Sequence, residues 1–389
     1  MKNNEQGPRT MKNVSWWSFS WAVSLVLIVL QVSLWMQMDN FAAENAQQVK
    51  ELDTNPFLKK NWEAYVTAKN GIIEPTLKVK TGIFIQSLHF HDSTEVELTG
   101  YIWQRYQDGL HDSIKPKPGE VGFVLPQEVD SNFEPQEAYR VRSANEEVIG
   151  WYFEAALRQP FDYSTYPFDH TKVAIRLWHK LFSRNVVLVP DFEAYTGTGH
   201  TAFFGIEKNI VLNNWERGNT YFGYSLSNYD TDFGIPNYVG QQSFPELSYN
   251  FVVKRKFQNA FIVYLLPLLL VAMLLFAALL TNSNKAEDVK GLGSSVSGFI
   301  GTASALFFVV MLAHIQLRGQ FEGSGIVYIE YFYILMYVLL VLATANTYIF
   351  AIRPKRGCGL ILYQDNIVIK AGYWPVVLGS LILITLGFL

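Results

Sequence analysis

Few residues in this 389-residue chain stand at the spacings that chemistry requires. His89 and His91 are two apart, so an extended strand puts both on one face, as the start of a metal site would need. No third ligand can be identified from spacing, and a pair of surface histidines explains the same pattern. Histidine titrates near neutrality, so these rings also have the chemistry of a pH sensor. The phosphate loop, the Gly-x-Ser-x-Gly elbow and the His-Glu-x-x-His motif are all absent from the sequence. The lone Cys358 forbids an intrachain disulfide and a thiolate metal cage. No residue is assigned a catalytic role, no cofactor is expected, and the chain is read as a non-enzyme. A net charge of −3, with no basic face interleaved with aromatics, gives no reason to expect nucleic acid as a partner.

The run from Leu292 to Leu317 is more informative, being apolar yet rich in Ser, Gly, Thr and Ala. At ~100° per residue on a helical wheel, Ser294, Gly298, Gly301, Thr302, Ala305, Val309, Leu312 and Gln316 share one face. Val296, Phe299, Ile300, Leu306, Phe307, Val310, Met311 and His314 share the other. Small residues permit close helix–helix approach within a membrane bundle. Alternatively, the small, partly polar face borders water where several copies surround a pore. Glu287 and Asp288 precede this helix, and symmetry would repeat them as a cation-favouring acidic ring at an inner mouth. A solvated loop beside Lys285 and Lys290 is the plainer account of the same two acids.

The elements that must position these residues fall into five segments. Residues 1–13 read as a polar cytoplasmic tail. Residues 14–38 form an apolar run with Trp16, Trp17, Trp21 and Trp35 near its ends, either a transmembrane anchor or a signal sequence. Residues 39–76 read as a helical stalk. Residues 77–256 alternate in short apolar runs between turn residues, which predicts an all-β, immunoglobulin-like sandwich. Residues 257–389 contain four apolar runs, one with Pro267, and predict a four-span helical bundle. Basic residues at Lys2, Arg9, Lys12, Arg353, Lys355 and Arg356 fall on one side when five spans are counted. The β domain is then expected in the periplasm or extracellular space, and the protein in the cell's inner membrane as a multi-pass chain.

Phe161–Trp178 begins with turn chemistry (Pro160, Asp162, Ser164, Thr165, Pro167, Asp169) and ends in an alternating strand, Val173 to Leu177. Its Tyr166-Pro-Phe-Asp169 resembles the signature loop of the pentameric ligand-gated ion channels, the Cys-loop receptor superfamily, in the bacterial form without bracketing cysteines. Gly100–Leu110 is similar to that family's Trp-x-Asp-x-x-Leu strand end, with Tyr106 in the Trp place and Leu110 one position early. Leu247–Phe257 resembles the last strand leading into the first channel helix, and Tyr264-Leu-Leu-Pro267 that helix's proline. Counting from Pro267 puts the family's hydrophobic gate near Gly298, whereas counting back from Glu330 puts it near Phe307. The wheel places the path at Thr302, Ala305, Val309 and Leu312, with a constriction at Val309 and Leu312.

The resemblance implies a homopentameric, cation-conducting channel in a lipid bilayer, passing permeant ions and gated by a small molecule or by protons. It also implies ligand sites at subunit interfaces, for which the aromatic candidates are Tyr101, Trp103, Phe192, Tyr195, Tyr229, Phe233 and Tyr238. An aromatic cage suits a cationic ligand, and buried core is the competing account of Trp103. Ser227–Pro245 is the expected capping loop. Coupling is expected through Tyr166, Pro167, Phe168 and Asp169, with Asp162 or Asp169 opposite Arg255 or Arg318. The alternative function is a membrane-anchored periplasmic sensor with no conducting pore.

Overall fold

The computed structural model describes residues 7–39, 77–91, 93–114, 122–130, 134–183, 186–196, 203–227, 229–235, 244–283, 296–321, 323–352, 361 and 363–389. The expected stalk, Glu287, Asp288, Ser294 and Tyr238 lie outside them. Two compact units emerge, one of Met1–Phe41, Asp162–Asp169 and Lys256–Leu389, the other of Ala42–Phe161 and His170–Arg255.

The second unit is built of strands β1 (Leu77–Phe90), β2 (Glu95–Gln107), β3 (Phe123–Val124), β4 (Glu128–Asp130), β5 (Gln136–Arg142), β6 (Glu146–Arg158), β7 (His170–His179), β8 (Val186–Pro190), β9 (Trp215–Ser227) and β10 (Phe244–Arg255). A six-stranded sheet runs β4-β6-β2-β1-β8 with β5 also paired to β6, and a four-stranded sheet runs β3-β7-β10-β9. The pleat explains the patterning, since successive side chains point to opposite faces. On β2, Val96, Leu98, Ile102, Gln104 and Tyr106 are buried, while Tyr101, Trp103 and Arg105 are only half-buried. Phe123 of the smaller sheet meets Trp151 and Phe153 of the larger edge to face, at ring separations of 6.1 and 5.9 Å. Gly82 is required by close approach: a Cβ there would lie 2.2 Å from the Trp103 indole, which lies across that strand.

Two imidazoles are buried in this core. The Leu181 N–H donates to His179 Nδ1 at 3.0 Å, and the Gln107 N–H donates to His111 Nδ1 at 2.7 Å. Each ring therefore carries its proton on Nε2, which faces Tyr106 Oη in His179 (2.9 Å) and the Lys78 carbonyl in His111 (3.0 Å). Burial, with a smaller electrostatic contribution from His111, pushes the pKa of His179 down to about 4.

Among the described residues the first unit contains five helices long and apolar enough to cross a membrane. They are α1 (Gly7–Asp39), α2 (Phe257–Leu280), α3 (Val296–Gln320), α4 (Glu330–Ile352) and α5 (Ile367–Leu386). A π-helical turn, Phe261–Leu265, precedes Pro267, whose missing N–H removes one rung from the α-helical ladder. The segment read as an anchor or leader, α1, packs along α5 in parallel. Ser20 Oγ donates to the Ala371 carbonyl near the start of α5, and Gln31 Nε2 donates to Thr385 Oγ1 near its end. Trp35 Nε1 donates to Tyr328 Oη at 2.8 Å, and Tyr328 Oη lies 2.7 Å from Thr385 Oγ1, closing a network at one end of the bundle. Four of the five helices are those expected in residues 257–389, and α1 joins them as a packed fifth.

Candidate functional site

Three groups of residues carry the chemistry. The first is the turn Asp162–Asp169, which belongs to the helical unit although Phe161 and His170, its immediate neighbours in the chain, belong to the β unit. Asp162 Oδ1 accepts the Ser164 N–H at 2.9 Å, an Asx-type turn that sets up the loop. Tyr163, Tyr166, Phe168 and Asp169 are then buried. Tyr166 packs on Phe321 at 4.6 Å and on Tyr264 of α2 at 6.2 Å. Phe168 lies against Phe257, Tyr328 and Trp35. The Tyr328 N–H donates to the Ser164 carbonyl at 2.8 Å. The expected coupling residues Tyr166, Pro167, Phe168 and Asp169 are thus brought together. Of the proposed cationic partners, Arg318 pairs with Glu330 Oε2 at 3.3 Å and donates to the Ser324 and Gly325 carbonyls. Arg255 stands over the Trp215 ring at 3.9 Å within the β unit.

The second group is α3 and its partner α4. Phe299, Ala303, Leu306, Val310 and Leu317 are buried, whereas Gly298, Gly301, Thr302, Ala305, Val309, Leu312 and Gln316 are exposed on the single chain. The sequence-predicted small face therefore points away from the chain's own bundle. Ile300 and Phe307, assigned by the wheel to the opposite face, are exposed as well, so the open arc is wider than the small stripe. His314 turns towards α4, stacking on Tyr333 at 5.1 Å with Nδ1 3.2 Å from Tyr337 Oη. Its Nε2 lies 3.5 Å from Oε1 of Glu330, a buried carboxylate whose other oxygen accepts the Val327 N–H at 2.8 Å.

The third group comprises two aromatic clusters in the β unit, among which the expected ligand residues divide. Trp103 lies 5.6 Å from Tyr195 and donates Nε1–H to Asp191 Oδ2 at 2.9 Å. Arg105 Nε donates to the same oxygen at 2.6 Å, and its Nη1 reaches Glu146 at 3.1 Å. Burial alone would lower the Arg105 pKa, but hydrogen bonds and charge from Asp191 and Glu146 raise it above its ordinary value. Tyr195 is fixed by two hydrogen bonds to the Ile83 backbone, and Phe192 meets Phe222 at 5.8 Å. Trp103 is half-buried. Tyr101 stands apart, edge to face with Tyr152 at 5.4 Å.

Tyr229 and Phe233 form the other cluster with Trp178 and Phe182, neither of which sequence reasoning singled out. Trp178 meets Tyr229 at 5.5 Å and Phe233 at 6.4 Å, and Phe182 meets Phe233 at 5.9 Å. Phe233 takes a φ of 53° at the tip of a turn whose Thr231 and Asp232 side chains accept backbone N–H groups. Beneath the rings, buried Glu246 accepts Trp178 Nε1 at 2.6 Å and Arg176 Nε at 2.7 Å. Arg176 Nη2 also donates to Tyr229 Oη at 2.9 Å. Among the described residues no group of three or more His, Cys, Asp or Glu is placed to hold a metal ion, and His89 and His91 are exposed on and just beyond β1.

Comparison with protein-family models and with curated protein sequences returned no match.

Proposed function

We propose that this chain is one subunit of a homopentameric, ligand-gated cation channel, with the β unit an immunoglobulin-like sandwich outside the inner membrane. The observation that carries this reading is the exposed small face of α3. This membrane helix buries Phe299, Leu306 and Val310 against its own chain and turns Gly301, Thr302 and Ala305 outward beside the apolar Val309 and Leu312. The same face suits a water-filled path shared by several copies. The α3–α4 pairing through His314 and Glu330 then fixes how that face is presented.

Gating follows from the covalent layout. The turn Asp162–Asp169 is tied at both ends to β-unit residues while its rings are packed among helix residues. A ligand-driven shift of β7 is therefore transmitted to Phe257 and Phe321. The cluster of Trp178, Phe182, Tyr229 and Phe233 supports an organic cation as ligand, since ring faces attract positive charge.

Recording from purified protein in planar bilayers, across a panel of amines and a pH series, tests this. Discrete cation-selective steps together with a fivefold native mass are expected. A monomeric mass with no conductance under any of these conditions would overturn it.

A further inference from the structure

Helix α1 packs directly on α5. Its buried residues Ser20, Ser24, Gln31 and Met38 follow one another at intervals of four, seven and seven. Such intervals fit the seven-residue repeat that keeps one seam of a helix against a neighbour. Three of the four are polar, and polar side chains between membrane helices pair across the contact. Ser20 Oγ donates to the Ala371 carbonyl, and Gln31 Nε2 donates to Thr385 Oγ1 at 2.9 Å, which ties α1 to both ends of α5. A segment that only delivers the chain to the membrane and is then cut away has no use for partners 351 and 354 residues further on.

Towards the end of this seam, Trp35 reaches the turn Asp162–Asp169 by two routes. Its ring touches both members of the Phe168–Phe257 pair, at 6.3 and 5.9 Å. It also lies nearly parallel to Phe332 of α4, 6.4 Å away with 23° between the planes. By the second route, Trp35 Nε1 donates to Tyr328 Oη at 2.8 Å, and the Tyr328 N–H donates to the Ser164 carbonyl at 2.8 Å. The rings meet the turn near its last residue and the hydrogen bonds meet it near its first. Within the turn, the Tyr166 N–H donates to the Tyr163 carbonyl and the Phe168 N–H to the Thr165 carbonyl, both at 2.9 Å. Those local bonds shape the turn. Its seat among the helices depends on the rings around it, and Trp35 is the ring that α1 supplies.

We propose that α1 is a permanent fifth helix of the bundle, and that its Trp35 is a positioning residue that holds the turn Asp162–Asp169 against Phe257 and Tyr328. Loosening α1 at this level loosens the turn. Loosening it at the far end, where Trp17 meets Phe276 at 6.5 Å, does not. Neither half of this depends on ion conduction, so the test stands whether or not the chain forms a channel.

Protein extracted from its own membrane is weighed intact, and hydrogen exchange of the full chain in nanodiscs is followed peptide by peptide. The mass is expected to include residues 14–38, and a chain beginning after Met38 overturns the proposal. In Trp35→Leu the amides of Tyr166, Phe168 and Tyr328 should exchange about tenfold faster, while β2 and β6 keep their rates. Trp35→Phe keeps a ring but loses the donor to Tyr328, and should fall between Trp35→Leu and the unaltered protein. Trp17→Leu deletes the same ring from the same helix and should leave those three amides unchanged. Should Trp35→Leu not survive purification, Trp35→Phe against Trp17→Phe makes the same comparison. Wild-type exchange of the turn in the Trp35 variant, or equal loosening by the matching Trp17 variant, would mean that α1 supplies only bulk, and overturns the proposal.

Discussion

The rings of Phe168 and Phe257 lie parallel, 5.0 Å apart with planes inclined by 15°. One belongs to the turn that leads into β7, the other opens α2. Phe168 is 5% exposed, so Phe168→Ala removes a buried ring and leaves a cavity, a change that costs about 3 kcal/mol or more. The purified variant should show a clearly lower thermal midpoint. Phe168→Leu keeps most of the volume and should be milder in stability. Under the channel reading it should still raise the agonist concentration needed for half-activation. An unchanged dose–response in Phe168→Leu would remove the stacked pair from the coupling path.

Asp169 is fully buried, one residue beyond this ring. Asp169→Asn preserves shape and acceptor capacity on one side while deleting charge. Under the channel reading the variant is expected to assemble normally but to gate with altered agonist sensitivity, read from macroscopic currents and native mass on the same preparation. Identical currents would confine Asp169 to a structural role.

Glu330 gathers four groups at the start of α4: the Val327 N–H, Arg318, His314 and, through His314, Tyr337. Glu330→Ala leaves the Val327 N–H without its acceptor and takes one of three acceptors from the half-exposed Arg318 guanidinium, which keeps the Ser324 and Gly325 carbonyls. A loss of about 2 kcal/mol follows, less than for a fully buried pair because water screens Arg318. Glu330→Gln keeps the amide acceptor for Val327 and should cost less than half as much. Thermal unfolding of both variants in one detergent checks the ranking. Equal losses would mean that charge, and not hydrogen-bond acceptance, is what Glu330 supplies.

The helices were legible because membrane length and apolar composition are local properties, readable from Phe257–Leu280 or Glu330–Ile352 without any partner. Strand alternation was equally local: Val173, Ile175 and Leu177 all point inward as their period requires. Pairings between distant residues were not legible. Glu246 meets Trp178 and Arg176 only because β10 lies beside β7 in a register that places Leu247 opposite Leu177. No property of the segment Phe244–Tyr249 announces that register. The bond between Gln31 and Thr385 joins residues 354 apart, so α1 reads from sequence as an isolated anchor. Trp103 was ambiguous for a different reason. Its indole lies over Gly82, a contact that depends on what stands across the strand and not on hydrophobicity.

His179 gives the β unit a predictable acid response. Its folded pKa of about 4 lies below the ordinary 6.5, so the unfolded chain binds the extra proton over the interval between them. Stability from this group is therefore complete above about pH 6.5 and falls as the pH drops towards 4, by on the order of 3 kcal/mol in all. Protonating Nδ1 must also break its bond from the Leu181 N–H. His179→Gln should lower stability at neutral pH yet flatten its slope over this window, measured by denaturation of the full chain at a series of pH values. An unaltered slope would assign the acid response to other groups.

Val309 tests the exposed face of α3 most directly, because its isopropyl group is half exposed on the single chain and one turn from Leu312. A narrow apolar ring closes a pore by excluding water, without any steric plug. Val309→Ser keeps the side chain small and adds a hydroxyl that holds water, so under the channel reading the closed state should leak. An increase of about tenfold or more in agonist-independent current is expected, equivalent to about 1.4 kcal/mol in the closed–open balance. The same substitution at Val310, buried on the opposite face, should instead reduce stability and leave the basal current per assembled channel unchanged. If Val310→Ser leaks and Val309→Ser does not, the helix presents the wrong face and the pore assignment falls.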